Sequence, residues 1–271
     1  VVANTRRDTV ADAPTSARRT TRLYGAAAND RLVDSDDVHR RWTARSGAYS
    51  PEYYAYYGPN ETSELLRETI ARHADADAEI LELGCSSGRH LAHLYDHGYE
   101  NVSGVEINAD AFDVMDEQYP ELAAGGTFHH GAIEDVVPEF DEDAFDVVYS
   151  VETLQHLHPD ADWVFAELAR VTGTLLVTVE NEGRDGDGGD DSGENGADGD
   201  DSVGGGSDSD DERGANGADR GEDGETPAVN YIEDDFPLYY RDWNDIFTDV
   251  GLTEVASESL DRDTFRAFTP A

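Results

Sequence analysis

Glu79-Ile80-Leu81-Glu82-Leu83-Gly84-Cys85-Ser86-Ser87-Gly88-Arg89-His90-Leu91 is the stretch that decides the fold. An apolar run too short for a helix ends near an acid, crosses a glycine-bounded turn and opens into a helical pattern. It reads as strand, tight loop and helix N-terminus. Such a loop turns free backbone N–H groups and the positive end of a helix toward a ligand. Gly84 and Gly88 lack a Cβ, so a nucleotide-like ligand is expected to lie close against the backbone there. A dinucleotide fingerprint, G-x-G-x-x-G, counted from Gly84 needs glycine where Ser86 and Arg89 stand, which argues against a nicotinamide-type Rossmann enzyme.

Strand-like runs recur downstream at 99–105, 127–130, 144–150 and 174–179, separated by helical patterns at 88–97, 109–115 and 160–171. A further helical pattern over 60–73, capped by Asn60 or Thr62, precedes them. This βαβ alternation predicts an α/β fold with a doubly wound, mostly parallel sheet. Ligands bind at the C-terminal ends of such strands, and Glu82, Glu106, Ile133 and Ser150 all fall there. Glu106 follows Glu82 by 24 residues, where one carboxylate can take both hydroxyls of a ribose.

The 79–91 stretch resembles motif I of the class I S-adenosylmethionine-dependent methyltransferases, E/D-x-G-x-G-x-G. Glu82, Gly84 and Gly88 match, and Ser86 replaces the middle glycine. Phe145-Asp146-Val147-Val148-Tyr149-Ser150, continuing through Leu154-Gln155-His156-Leu157, looks like the family's motif after the fourth strand. Gly131-Ala132-Ile133-Glu134-Asp135 resembles its adenine-contacting turn, with Ala132 where an acid is usual. The resemblance covers roughly residues 60–182 and 230–269. It implies a seven-stranded sheet closed by a C-terminal antiparallel hairpin, which the runs 252–257 and 264–268 would form. It also implies S-adenosyl-L-methionine as cofactor, held by Glu82, Gly84, Cys85, Ser86, Gly88, Glu106, Ile107, Ile133, Glu134 and Ser150. His156 is a candidate general base at neutral pH, the alternative being a structural hydrogen-bonder. Ser86 and Ala132 leave open a relative that keeps the fold as a non-catalytic binding or partner module.

Tyr49 to Tyr57 holds five tyrosines in nine residues. Aromatic rings with hydroxyl handles suit a half-wet cleft, so Tyr53, Tyr54 and Tyr57 are expected to form a substrate lid, the alternative being that they pack the N-terminal segment onto the domain. His90, His93 and His97 share a helical side without a carboxylate partner. They read as a solvated face, and no metal site is expected. Residues 1–45 read as a mobile N-terminal segment apart from a short helix near 36–45 carrying Trp42. Residues 46–182 form the first part of the domain and 227–271 its C-terminal part. Between them, 183–226 carries 14 glycines and 16 acids, too little apolar surface to offset ordering entropy, and is expected to be a disordered acidic insertion.

The chain of 271 residues has 61 acidic and 19 basic residues, all of the latter arginine, for a net charge of −42. The insertion contributes −13, leaving −29 on the rest. This is read as adaptation to molar salt, where the Debye length is about 3 Å and the carboxylates' repulsion is screened; the alternative is an ordinary acidic protein with a disordered segment. Nucleic acid is an unlikely partner for such a charge, so the acceptor is expected to be a small molecule. The single cysteine, Cys85, forms no internal disulfide, which fits a reducing interior. No basic segment followed by an apolar one opens the chain, and no apolar run reaches about 18 residues, so a cytoplasmic location without membrane attachment is expected. The chain opens on valine, so its native start is expected to lie outside it.

Overall fold

The computed structural model describes residues 34–183, 227–232 and 236–271. The expectations of a mobile segment before residue 34 and of a disordered insertion over 184–226 lie outside the described residues.

Helices α1 (Ser35–Thr43), α2 (Pro51–Tyr57) and α3 (Glu61–His73) precede the sheet. Each begins where an oxygen can take an otherwise unpaired backbone N–H. Asp34 accepts from Asp37, Ser50 from Tyr53, and Asn60 and Ser63 close a reciprocal capping box. The deciding stretch is β1 (Ile80–Leu83), a loop, and α4 (Arg89–Asp96). Then come β2 (Val102–Glu106), α5 (Asp110–Gln118), α6 (Pro120–Gly125), β3 (Thr127–His130), α7 (Ile133–Val136) and β4 (Phe145–Val151). The chain continues through α8 (Val164–Val171), β5 (Thr172–Glu180), β6 (Ala228–Ile232), β7 (Phe236–Tyr240), α9 (Trp243–Asp249), β8 (Leu252–Ser259) and β9 (Thr264–Pro270).

Seven strands form one sheet in the order β3-β2-β1-β4-β5-β9-β8. The first five are parallel, and β9 runs antiparallel between β5 and β8. β1 and β4 are neighbours although β2 and β3 intervene in sequence, so the order reverses between them. That reversal opens a crevice at their C-terminal ends. All four residues of β1 are buried, as a strand covered on both faces requires. One face packs Ile80, Val102 and Val147 against Leu66, Leu91 and Met115. The other packs Leu81, Val105 and Val148 against Val164, Phe165, Trp243 and Phe247.

Three differences from the sequence reading have local causes. β2 starts at Val102, because Tyr99 N–H instead bonds the Leu94 carbonyl in the cap of α4, with Gly98 left-handed. β6 and β7 pair as a separate two-stranded sheet. Pro237 disguises β7, yet a proline is tolerated on such an edge. His90 is buried, bonded to the Ser63 hydroxyl at 2.8 Å, and is therefore not on a solvated face; His93 pairs with Glu64 at 2.9 Å.

The loop after β1 takes three left-handed turns, with φ of 68° at Gly84, 49° at Ser86 and 83° at Gly88. Internal packing requires glycine at 84 and 88. A Cβ at Gly84 would overlap the Thr153 side chain, and one at Gly88 would press on Leu122 and Met115. Thr153 has little room to yield, since its hydroxyl bonds the Val151 carbonyl. Gly84→Ala combines left-handed strain (about 1–2 kcal/mol) with overpacking (about 1–3 kcal/mol) and is expected to lower stability by about 2–4 kcal/mol in denaturant titration. A loss under about 1 kcal/mol would show that the loop relaxes freely.

Candidate functional site

The crevice between the ends of β1 and β4 opens into a concave pocket, at the place in a doubly wound sheet where ligands bind. One wall is the loop after β1 (Gly84, Cys85, Ser86) with Glu82 beneath it. A second is the end of β2, with Glu106, Ile107 and Asn108, and a third the turn Gly131–Glu134. The fourth is the segment after β4, Glu152, Thr153 and His156 to His158. Helix α1 and the residues entering α2 cover it with Val38, His39, Trp42, Tyr49 and Tyr54.

Glu106 holds two walls together. Its Oε2 accepts from Ser86 N–H at 2.8 Å and its Oε1 from Asn108 N–H at 2.7 Å. A carboxylate has about four acceptor sites, so these bonds do not exhaust it. Burial raises its pKa, opposed by those backbone donors. Glu82 is 2% exposed, and burial pushes its pKa well above the usual carboxylate range. Its Oε2 has no hydrogen-bond partner among the described residues.

The segment after β4 is gripped from both sides. Glu180, fully buried at the end of β5, accepts from the Ser150 hydroxyl at 2.6 Å and from the backbone N–H groups of Thr153, Leu154 and Gln155 at 3.1–3.3 Å. Arg241 reaches the same segment with the opposite polarity, donating to the carbonyls of Leu157 at 2.7 Å and Leu154 at 3.4 Å, and to Asp162 at 2.8 Å. Neither was singled out in the sequence. Glu180 closes an apolar strand as Glu82 and Glu106 do, a signal that could have found it; Arg241 lies 84 residues from Leu157 and carries no such signal.

Of the sequence-derived candidates, Glu82, Gly84, Cys85, Ser86, Glu106, Ile107, Ile133, Glu134 and His156 lie on the cavity wall. Ser150 does not: its hydroxyl is turned to Glu180. Gly88 also lies off the wall, behind the loop. Tyr54 is on the wall, but Tyr53 and Tyr57 are not; they pack on one another with ring centroids 4.9 Å apart, and Tyr57 is 61% exposed. The last part of the expected mobile segment, 35–43, is a helix that covers the cavity, with His39 bonded to Glu134 at 3.0 Å and Trp42 packed 4.7 Å from the His156 ring. His156 does not suit a general base. Its Nδ1 donates to the Pro237 carbonyl at 2.8 Å, and burial lowers its pKa to about 4, far from the neutral range where proton transfer is efficient.

Residues 80–174 match the methyltransferase domain family. The chain is 29% identical to the O-methyltransferase cnsE of Penicillium expansum over 136 residues, 47% of this chain and 49% of that one. It is 31% identical to a dTDP-3-amino-3,6-dideoxy-alpha-D-glucopyranose N,N-dimethyltransferase of Streptomyces fradiae over 70 residues, 26% of each. It therefore spans half or less of the length of these curated relatives. Among solved structures it is similar to the 1,6-didemethyltoxoflavin-N1-methyltransferase of Burkholderia thailandensis (TM-score 0.51, 13% identity, covering 78% of this chain and 77% of that one). A magnesium protoporphyrin IX methyltransferase from Synechocystis compares similarly (TM-score 0.50, 13% identity, 87% and 91%). At these identities the structural likeness bears on the fold alone.

Burial dominates Glu180 and pushes its pKa up to about 7, against the opposing hydrogen bonds from Ser150 and the three backbone N–H groups. The folded state then binds more protons than the unfolded between pH 4.5 and 7. Stability from this group is full below 4.5 and lost as pH rises through 7, by about 3 kcal/mol at most. Relative to Glu180→Gln, which does not titrate, the wild type is expected to lose stability between pH 5 and 8 in denaturant titrations. Parallel profiles would contradict a protonated Glu180.

Proposed function

We propose that this chain, a member of the class I S-adenosylmethionine-dependent methyltransferases, transfers the cofactor's methyl group to a small-molecule acceptor bound under α1 and α2. The observation that carries the reading is one cavity whose walls are the β1 loop, the acid ending β2 and the segment after β4.

The residues present fit the cofactor's parts. Glu106, on the wall at the end of β2, keeps acceptor capacity for ribose hydroxyls. Ile133, 6% exposed on the wall, offers an apolar face to the adenine, with Glu134 beside it. Glu82 lies on the wall beneath the loop, where the amino-acid portion would sit. Ser86 keeps the left-handed turn of a glycine, so this departure from the motif leaves the loop's path intact. That favours a binding-competent site over a disabled relative.

Bound, the cofactor supplies a sulfonium-activated methyl group. In-line displacement needs alignment and exclusion of water more than a nucleophile or metal. Glu180 and Arg241 fix the segment after β4, which forms one wall of the cavity. Trp42, Tyr49 and Tyr54 line its cover. The relatives named above act through oxygen and nitrogen acceptors alike, which supports a small molecule without selecting one. A net charge of −42 disfavours an anionic polymer, and no helix among the described residues is long and apolar enough to cross a membrane.

Glu106→Ala is expected to weaken binding of S-adenosylhomocysteine tenfold or more, about 1.4 kcal/mol. Because Glu106 also holds two loops, the assignment is read from a cycle with the 2′-deoxy analogue. The wild type should lose affinity when the hydroxyl is removed, and the variant should not. Equal losses in both proteins would overturn the ribose assignment.

A further inference from the structure

Four carboxylates stand on the cavity wall: Glu82, Glu106, Glu134 and Glu152. Glu82 lies deep beneath the loop, Glu106 accepts two backbone N–H groups, and Glu134 is bonded to His39. Glu152 differs. Among the described residues its carboxylate makes no hydrogen bond or ion pair. Its backbone is nevertheless fixed, with the N–H donating to the Val179 carbonyl at 2.8 Å and φ at 51°, a left-handed conformation unfavourable to a residue with a Cβ. Strain of this kind persists only where the surroundings impose it and gathers at functional sites.

The neighbouring wall is aromatic. Tyr54 lies near enough that the Glu152 charge, after burial, helps raise its hydroxyl pKa, and Tyr49 and Trp42 share the cavity. The two guanidinium groups on the wall lie over rings, Arg45 5.5 Å from the Tyr49 centroid and Arg89 over Tyr54, and neither bonds Glu152. Arg45 lies 4.5 Å from the Phe236 ring centroid and donates to the Ala48 carbonyl. Arg89 lies 4.8 Å from that of Tyr54 and donates to His90. A carboxylate that no cation bonds directly, beside aromatic rings already suited to cations, is a site for an ammonium group.

We propose that Glu152 recognises the acceptor and that the acceptor is an amine carried on a flat apolar body; this rests on the methyl-transfer reading above. The amine binds as an ammonium against Glu152 and releases one proton to water. Its nitrogen lone pair then forms the N–C bond while the C–S bond breaks and its electron pair stays on sulfur. Positive charge moves from sulfur to nitrogen, and the product leaves as a methylated ammonium. Glu152, beside that nitrogen, stabilises the charge as it arrives, and it repels a phenolate or carboxylate nucleophile.

The test is calorimetric titration of the protein loaded with S-adenosylhomocysteine, at the lowest potassium chloride concentration that keeps it folded. Three ligands share one ring and differ in charge: tyramine, 4-ethylphenol and 3-(4-hydroxyphenyl)propionate. Tyramine is expected to bind at least tenfold tighter than 4-ethylphenol, about 1.4 kcal/mol, and the propionate most weakly. Glu152→Gln should erase that order while keeping S-adenosylhomocysteine affinity within about threefold, and Glu152→Asp should retain most of it. Equal or undetectable binding of all three ligands, or an order that survives Glu152→Gln, overturns the proposal. So does a Glu152→Gln variant that folds but no longer binds S-adenosylhomocysteine, since the carboxylate would then serve the cofactor. Failure of the folded wild type to bind S-adenosylhomocysteine overturns the methyl-transfer reading itself.

Discussion

Buried carboxylates at strand ends tie this site together. Parallel strands end in loops whose N–H groups find no further ladder partner, and a covered crevice keeps most water from them. Glu106 closes β2 by accepting from Ser86 and Asn108, and Glu180 closes β5 by accepting from three successive N–H groups after β4. In both cases burial works against ionisation and the backbone donors work for it. The resulting loops are fixed by the interior of the sheet rather than by their own sequences. Loops held in this way have the rigidity that alignment of two reactants needs.

The same arrangement divides labour at the switch point. The β1 and β2 ends with the turn at Gly131 form one side of the cavity, suited to a nucleoside. The segment after β4, held by Glu180 and Arg241, forms the other with the cover of α1 and α2. Sheet order alone brings the two sides together, since β4 lies beside β1 only because the chain crosses back after β3. The cover is built from aromatic rings, and Trp42 touches both His156 and Phe236. Helix α1, β7 and the segment after β4 therefore meet at one aromatic contact.

Much of the architecture was legible. The β1 loop, the five parallel strands and the closing hairpin follow from short apolar runs, glycine stops and βαβ spacing. Gly84 and Gly88 read as turn residues, but a second reason for them does not show in the sequence. Their missing Cβ atoms make room for Thr153 and for Leu122 and Met115, contacts invisible to local pattern. Ser150 was misplaced because strand ends present side chains alternately to the cavity and to the interior, and nothing in the sequence says which. His156 looked like a base by type, whereas its pKa depends on burial against Trp42 and the Pro237 carbonyl, 81 residues away. Arg241 and the covering role of α1 were likewise beyond reach, since both depend on long-range packing.

The central claim is that the cavity behind the β1 loop is an S-adenosylmethionine site. It is tested most directly by calorimetric titration of S-adenosylmethionine, S-adenosylhomocysteine and NAD in molar potassium chloride, where the charge repulsion of the chain is screened. The account predicts micromolar binding of both adenosyl compounds, about −8 kcal/mol, and none of NAD. Binding of NAD alone, or of none of the three by a folded protein, would contradict it.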